Sequence, residues 1–155
     1  MDVHVLFISG MDEEDTNAYF EKEGWKDMPV YKDQINKQTK LINKKNPMRV
    51  TIWSMLITPI IEDLIQTIES HIKYVVFLYH AHKPITLMRC IGFHEKIKEY
   101  NMLAIVLSSH STKSLNKKEF KIISSLLLNM TDVDYKELPH YSLKLNSIIK
   151  LFINI

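Results

Sequence analysis

The sequence predicts a single-domain α/β fold, in which helices cover a mostly parallel six-stranded sheet that has one antiparallel edge strand. Short apolar runs alternate with amphipathic segments, which is the pattern of strands joined by helical crossovers. The runs at 3–9 and 74–79 are almost continuously apolar, as expected of strands covered on both faces. The runs at 38–42 and 48–53 are separated only by a turn and therefore form an antiparallel hairpin.

Composition restricts the classes of protein to which the chain can belong. Its 155 residues can form one domain with a buried core, and a net charge of +2 is too small to indicate a nucleic-acid partner. The one cysteine, Cys90, excludes a disulfide framework and favours a reducing intracellular compartment, cytoplasmic or nuclear. No apolar run approaches the roughly 18 residues of a membrane span. The N-terminus does not resemble a signal peptide, and the C-terminus has no cysteine for a lipid anchor.

The first half of the chain begins with the strand at 3–9, which leads through a loop with one glycine into a helix. Asp12 or Asp15 can cap this helix, and Gly24 ends it. The segment 25–34 shows no periodicity and is expected to be a loop. The hairpin follows, and its outer strand is short, polar and rich in lysine, as is typical of a protected sheet edge.

The second half alternates helices with strands. Predicted helices cover 59–68, 84–100, 115–130 and 141–153, and predicted strands cover 74–79, 102–107 and 133–138. Apolar residues at helical spacing are expected to face inward: Leu87, Met88, Ile91 and Ile97 in the second of these helices, and Phe120, Ile123, Leu126 and Leu127 in the third. The order of elements is therefore β-α-β-β-α-β-α-β-α-β-α.

That order, with the antiparallel hairpin as the second and third strands, resembles the small Ras-like GTPases, the Rab type in particular. The segment Val50-Thr51-Ile52-Trp53 is similar to a Rab strand that ends in Trp before an Asp-x-x-Gly motif. The resemblance covers nearly the whole chain. It implies a fold in which a Gly-x-x-x-x-Gly-Lys-Ser/Thr loop would hold the phosphates of a nucleotide.

Every nucleotide motif of that family is altered here. The phosphate loop falls on Ser9, Glu14, Asp15 and Thr16, the Asp-x-x-Gly on Ser54-Met55-Leu56-Ile57, the base-reading Asn-Lys-x-Asp near Ser109-His110-Ser111-Thr112, and the Ser-Ala-Lys near Pro139-His140-Tyr141. Only Thr16 agrees with the phosphate loop, and Asp15 replaces its lysine within a run of four carboxylates, Asp12 to Asp15. A unit charge pair at about 4 Å is worth about 4 kcal/mol at an effective dielectric of about 20, so this reversal opposes phosphate binding.

GTP hydrolysis requires the phosphate cradle, the metal and a positioned water together. The resemblance therefore implies a pseudo-GTPase, with no cofactor and no enzymatic activity. Degenerate relatives of this fold, of the type of centromere protein M in the kinetochore and the Rab-like assembly factors of clathrin adaptors, act as subunits. We accordingly expect a protein-binding subunit or scaffold in an obligate or stable intracellular complex.

The apolar run Met55, Leu56 and Ile57 replaces a loop that is polar and mobile in active GTPases. It can pack into the vacant nucleotide site or remain exposed for a partner, and both alternatives stay open at this point. The predicted partner surface consists of this run and aliphatic residues of the next helix: Met55, Leu56, Ile57, Ile61, Leu64 and Ile65. Beside it lies a basic hairpin formed by Lys37, Lys40, Lys44, Lys45 and Arg49. Because no aromatic residues interleave with these cations, we expect a solvated edge or an acidic partner surface, and not nucleic-acid binding.

Histidines provide an alternative hypothesis. His80 and His82 lie at i and i+2 at the end of a predicted strand, so both face the same side, and His110 or His140 would follow neighbouring strands. Such a set could hold zinc, although loops at strand ends collect polar residues in any case. The alternative function is therefore a divergent nucleotide- or metal-binding enzyme that uses these histidines. A third hypothesis is a nucleotide binder with an altered base pocket.

Two nucleophile candidates receive little support from the sequence. Ser108, Ser109 and Ser111 surround His110, but residues adjacent in sequence seldom form a nucleophile–base pair, and no nucleophile-elbow motif is present. Cys90 lies among apolar residues of a predicted helix and is interpreted as a core thiol.

Overall fold

The computed structural model describes residues 2–25, 29–42, 47–66, 72–97, 103–110 and 114–128. Their elements are β1 (Asp2–Ser9), α1 (Glu13–Lys22), β2 (Asn36–Ile42), β3 (Met48–Leu56), α2 (Ile61–Gln66), β4 (Tyr74–Tyr79), α3 (Pro84–Ile97), β5 (Leu103–Ser108) and α4 (Lys117–Leu127). The predicted strand at 133–138 and the predicted helix at 141–153 lie outside these residues.

The strands form one five-stranded sheet in the order β2-β3-β1-β4-β5. β1 lies in the middle and runs parallel to both of its neighbours, with Val5 opposite Ile52 of β3 and Tyr74 of β4. β4 and β5 are also parallel, whereas β2 and β3 are antiparallel. The α/β class, the mostly parallel sheet and the antiparallel edge hairpin are thus confirmed.

Both faces of the sheet carry a hydrophobic core, because successive side chains of a strand point to opposite faces. On one face, Phe7 of β1 packs edge-to-face on Phe20 of α1, with ring centroids 5.4 Å apart. The other face combines Phe77 of β4 with apolar residues of α2, α3 and α4, namely Ile65, Leu87, Cys90, Phe93 and Ile123. This double coverage explains why β1 and β4 are apolar almost throughout.

Helix α1 is capped by Asp12, which settles the alternative between Asp12 and Asp15. The carboxylate of Asp12 accepts a hydrogen bond from the backbone N–H of Asp15 at 2.8 Å. At the other end, Gly24 adopts φ +87°, a left-handed conformation that suits glycine and ends the helix. The amide of Asn17 donates to the carbonyl of Val30 and accepts from its N–H, so the predicted loop is fixed to the helix.

Two residues that were predicted to face inward are exposed instead. Met88 of α3 is 52% exposed, because the buried stripe of that helix follows Leu87 and Cys90 and leaves Met88 about 100° away from it. Phe120 of α4 is 47% exposed, and the buried face of that helix begins with Ile123. Among the described residues, no helix has the length and apolar character needed to cross a membrane.

Candidate functional site

The turn between β1 and α1, taken with its flanking residues, contains the positions on which the phosphate loop of the small GTPases falls, namely Ser9 to Thr16. Four of its backbone donors have acceptors within the chain: the N–H of Gly10 donates to the carbonyl of Leu78 (2.9 Å), that of Met11 to Ser9 Oγ (3.1 Å), that of Asp15 to Asp12 Oδ1 (2.8 Å), and that of Thr16 to the carbonyl of Asp12 (3.1 Å). Helix α1 begins at Glu13, only four residues after the end of β1. These four N–H groups therefore do not line an open anion cradle.

Thr16, the one residue that agrees with the family's phosphate loop, has its hydroxyl engaged inside the protein. Its Oγ1 lies 2.7 Å from Ser9 Oγ, and both residues are buried. The pair shares a hydrogen bond, and Ser9 Oγ also accepts from the N–H of Met11. The hydroxyl that would bind a metal ion in a GTPase thus stabilises the turn itself.

The charges beside this turn also disfavour phosphate. Asp15, which replaces the family's lysine, forms an ion pair with Lys83 from the loop after β4, with Lys83 Nζ 2.6 Å from Asp15 Oδ2. The hydrogen bond to Asp15 raises the pKa of Lys83, and the charges of Asp12 and Glu14 act in the same direction. The cation that enters the region is therefore already paired with a carboxylate.

The end of β3 departs from the predicted partner surface. Met55 and Leu56 are buried, because adjacent positions of the strand point into opposite cores and both cores are covered. Ile65 is also buried, and Ile57 is half-buried with its N–H donating to the carbonyl of Ser9 at 3.0 Å. This burial corrects the assignment of Met55, Leu56 and Ile65 to a partner surface and fits the core-packing alternative. The side chains of Ile61 and Leu64 lie outside what the structure describes.

The structure brings His80, His82 and His110 together at the carboxyl ends of β4 and β5, as the sequence predicts, whereas His140 lies outside the described residues. The rings of His80 and His110 are stacked, with centroids 3.9 Å apart and planes 19° apart. Nearly parallel stacked rings direct their nitrogen lone pairs side by side, so these two do not converge on one ion. Within the described ranges, no group of three or more His, Cys, Asp or Glu side chains could hold a metal ion.

The stacking contact also affects the protonation of the two rings. Burial lowers the pKa of His80, and the neighbouring His110 lowers it further. Burial likewise lowers the pKa of His110, followed by the charge of Lys22. Both shifts favour the neutral form of the two stacked rings.

His82 takes part in a set of contacts that the sequence argument missed. Its Nδ1 lies 3.0 Å from Glu119 Oε2, and its Nε2 lies 2.9 Å from Ser114 Oγ. The serines that the sequence pattern singles out are those adjacent to His110. Of those, Ser109 Oγ does lie 2.8 Å from His110 Nδ1, Ser108 Oγ donates to the His110 carbonyl, and Ser111 lies outside the described residues. The only sequence signal for Glu119 is the capping box that it forms with Asn116.

An open depression lies between α1 and the loop after β5, the loop near which the family's base-reading motif falls. It is lined by Asp15, Ala18, Tyr19, Lys22, Ser109 and His110. The hydroxyl of Tyr19 is buried and has no hydrogen-bond partner in the described part of the chain, and this burial raises its pKa strongly. The depression lacks the carboxylate after β5 that would read a guanine in the family.

Two other features that the sequence singled out, Cys90 and the basic hairpin, make contacts within the fold. Cys90 is fully buried, which raises the pKa of its thiol to about 12, and its Sγ donates to the carbonyl of Leu78 at 3.5 Å. In the basic hairpin, Lys37 lies over the ring of Trp53 at 4.8 Å, and Lys40 lies over the ring of Trp25 at 4.5 Å. Lys44 and Lys45 lie outside the described residues.

A scan against models of known protein families finds no match to this chain, and a search of curated proteins finds no similar sequence.

Proposed function

We propose that this chain is a Ras-like pseudo-GTPase domain that neither binds nor hydrolyses GTP and acts as a protein-binding subunit of a larger complex. Two features of the architecture support the Ras-like part. The strand order β2-β3-β1-β4-β5 contains a single antiparallel pair at one edge. Helix α1 packs on one face of the sheet, and α2, α3 and α4 contribute to the core on the other.

The observation that carries the proposal is the internal hydrogen bonding of the turn after β1. The N–H groups of Gly10, Met11, Asp15 and Thr16 could bind a phosphate only by leaving their present acceptors on Leu78, Ser9 and Asp12. Each buried donor or acceptor that lost its partner would cost about 1–3 kcal/mol. The turn is therefore stable as a closed structure, in contrast to a loop that awaits an anion.

Charge adds a second barrier to nucleotide binding. A triphosphate would approach the carboxylates of residues 12–15, and the nearby cation, Lys83, is paired with Asp15. Because the metal-linked aspartate of the family falls on buried Ser54, no carboxylate at that position could hold a magnesium ion to screen the repulsion.

The protein-binding part of the proposal follows from the family resemblance, because degenerate relatives without nucleotide chemistry act as subunits. A domain with no γ-phosphate to reorganise its loops offers its partner a surface that does not depend on nucleotide. The proposed complex is thus constitutive and not switched.

Calorimetry with GTP and with GDP, each with and without magnesium, tests the nucleotide part. We expect no binding with a dissociation constant below about 10 μM, equivalent to about −7 kcal/mol. Asp15→Lys is the informative variant, because it restores the family's charge while the backbone donors stay engaged. It should also fail to bind, and tight binding by either protein would contradict the proposal.

The partner part is tested by affinity purification of the full chain at native expression level, followed by cross-linking mass spectrometry and size-exclusion chromatography. We expect a co-eluting protein at fixed stoichiometry whose amount does not change when GTP or GDP is added. Elution of the chain as a free monomer, or assembly that requires added nucleotide, would contradict the subunit role.

A further inference from the structure

A serine, a histidine and a carboxylate are hydrogen-bonded in series at the edge of the sheet, and we propose that Ser114 is a nucleophile, activated by His82 and Glu119, that reacts with small neutral carboxylic esters. The residues come from two loops and a helix: His82 follows β4, Ser114 precedes α4, and Glu119 lies in the first turn of α4. The inference does not depend on the pseudo-GTPase proposal, since none of the three residues belongs to the turn after β1.

The distances match the order in which a proton would move. Ser114 Oγ lies 2.9 Å from His82 Nε2, and His82 Nδ1 lies 3.0 Å from Glu119 Oε2. A carboxylate can only accept, so Nδ1 carries the hydrogen and Nε2 is the acceptor for the serine hydroxyl. This is the tautomer that allows an imidazole to take a proton from a serine.

Further hydrogen bonds orient the carboxylate and the histidine. Glu119 Oε1 accepts from the N–H of Asn116 at 3.1 Å, which leaves Oε2 for His82. The N–H of Asn116 lowers the pKa of Glu119, and the contact with His82 lowers it further, so the carboxylate is ionised at neutral pH. The backbone N–H of His82 donates to His80 Nδ1 at 3.1 Å, which ties the base to the buried ring beside it.

The surroundings of Ser114 indicate the class of electrophile. Ser114 is itself exposed, and the side chains of His82 and Glu119 are 36% and 32% exposed, so the site is open to solvent. A phosphoryl group would bring negative charge beside Glu119, and phosphoryl transfer depends on cations at the transferred group. A neutral acyl ester meets no such repulsion, and a small one fits an open surface.

The reaction is balanced by the groups named and by water. Ser114 Oγ bonds to the ester carbonyl carbon while its proton passes to His82 Nε2. The bond from that carbon to the alkoxy oxygen then breaks, the leaving alcohol takes the proton from His82, and an acyl-Ser114 remains. Water attacks this ester, its proton passes through His82 to the departing Ser114 Oγ, and the carboxylic acid is released.

A second hydrogen-bonded serine–histidine pair, Ser109 and His110, lies nearby but, in the described part of the chain, lacks the exposure and the carboxylate of the Ser114 site. Ser109 Oγ and His110 Nδ1 are 2.8 Å apart, but Ser109 is buried, and no carboxylate among the described residues is hydrogen-bonded to that ring. Ser125 of α4 offers an exposed serine for comparison. If only Ser114 reacts, its reactivity comes from His82 and Glu119 and not from the exposure of a serine hydroxyl alone.

The experiment treats the full chain with an alkyl fluorophosphonate, maps the labelled peptide by mass spectrometry, and measures hydrolysis of p-nitrophenyl acetate in parallel. We expect label on Ser114 and ester turnover that are both lost in Ser114→Ala. His82→Gln should slow labelling by about 10²-fold or more, as expected for loss of a general base. Glu119→Gln should also slow it by about 10²-fold or more, because an amide nitrogen in place of Oε2 would donate to His82 Nδ1 and leave the hydrogen on Nε2. Ser125→Ala should label at the parent rate.

Folding of the variants is checked by urea denaturation. Glu119→Gln is informative here, because glutamine at this helix position preserves the capping box and hence the fold. Label spread equally over Ser114 and Ser125, or a rate unchanged in folded His82→Gln, would overturn the proposal. Labelling of Ser114 without hydrolysis of p-nitrophenyl acetate would overturn the assignment of the substrate class.

Discussion

A Cβ atom on Gly10 would collide with the backbone carbonyl oxygen of Thr86, so the turn after β1 lies too close to the first turn of α3 for any side chain at position 10. Arg89 reinforces this contact by donating from Nη1 to the carbonyl of Gly10 at 3.1 Å. A glycine after the first strand of an α/β protein commonly lets a backbone approach a phosphate. Here the glycine lets the turn approach a helix.

Gly10→Ala should therefore destabilise the protein, although the backbone at Gly10 does not have positive φ. The colliding atom belongs to the backbone, so the turn or α3 must shift, at a cost of about 1–3 kcal/mol or more. The matched control is Gly92→Ala in α3, where a Cβ would meet nothing within 4 Å. There we expect a gain of about 0.5–1 kcal/mol from helix propensity, measured by urea denaturation. Equal effects of the two substitutions would contradict the close contact.

Leu78→Ala tests the position of β4 in the sheet. Leu78 is fully buried, and its neighbours across the sheet are Ser9 and Leu107. Truncation should cost about 2–5 kcal/mol in the free energy of unfolding, because it removes apolar contacts and leaves a cavity. Leu41→Ala is the control, since Leu41 of β2 is 71% exposed and its loss should change stability by less than about 0.5 kcal/mol. A cost below about 0.5 kcal/mol for Leu78→Ala would mean that β4 is not a core strand.

Local signals in the sequence predict much of this fold. The continuous apolar runs of β1 and β4 predict strands covered on both faces, and the polar turn at 43–47 predicts the hairpin. The exposure of Phe120 was not predictable in this way, because a helical pattern identifies a face but not where along the helix the core contact begins.

The candidate site was predicted only in part, for a physical reason. Strand ends brought His80 and His110 together because parallel strands share an edge. Their stacking depends on loop conformation, which a residue pattern does not encode. The contacts of His82 with Ser114 and Glu119 join residues 32 and 37 positions apart, so no local spacing rule relates them.

Leu56→Asp distinguishes a core position from a partner surface. Leu56 is 6% exposed, and an aspartate there would bury a charge without a partner. We expect the isolated chain to lose about 3–5 kcal/mol of stability or to unfold, as seen by circular dichroism and urea denaturation. Ile57→Asp is the neighbouring control, and because Ile57 is half-buried it should cost much less. A folded Leu56→Asp protein of parental stability would restore the apolar run Met55, Leu56 and Ile57 as a candidate partner surface.

The stack of His80 and His110 should make stability fall as the solution becomes acidic. Both rings have a pKa below the ordinary 6.5 in the folded state, so between the folded and unfolded pKa values the unfolded chain binds more protons. Stability then increases with pH in that window. The contribution is complete above about pH 7 and is lost as the pH falls below 6.5 and through the folded-state values.

His110→Asn isolates this effect from the other histidines. It removes one ring of the stack and the charge that would face His80, while Asp15, Lys22 and Lys83 remain near the site. The free energy of unfolding is measured by urea denaturation from about pH 5 to about pH 8 for the parent and the variant. We expect the parent to lose more stability than the variant below pH 6.5, and the two curves to run parallel above about pH 7. Parallel curves over the whole range would mean that the stacked rings titrate alike in the folded and unfolded chains. In that case the stacking of His80 on His110 does not depend on the neutral state of the two rings.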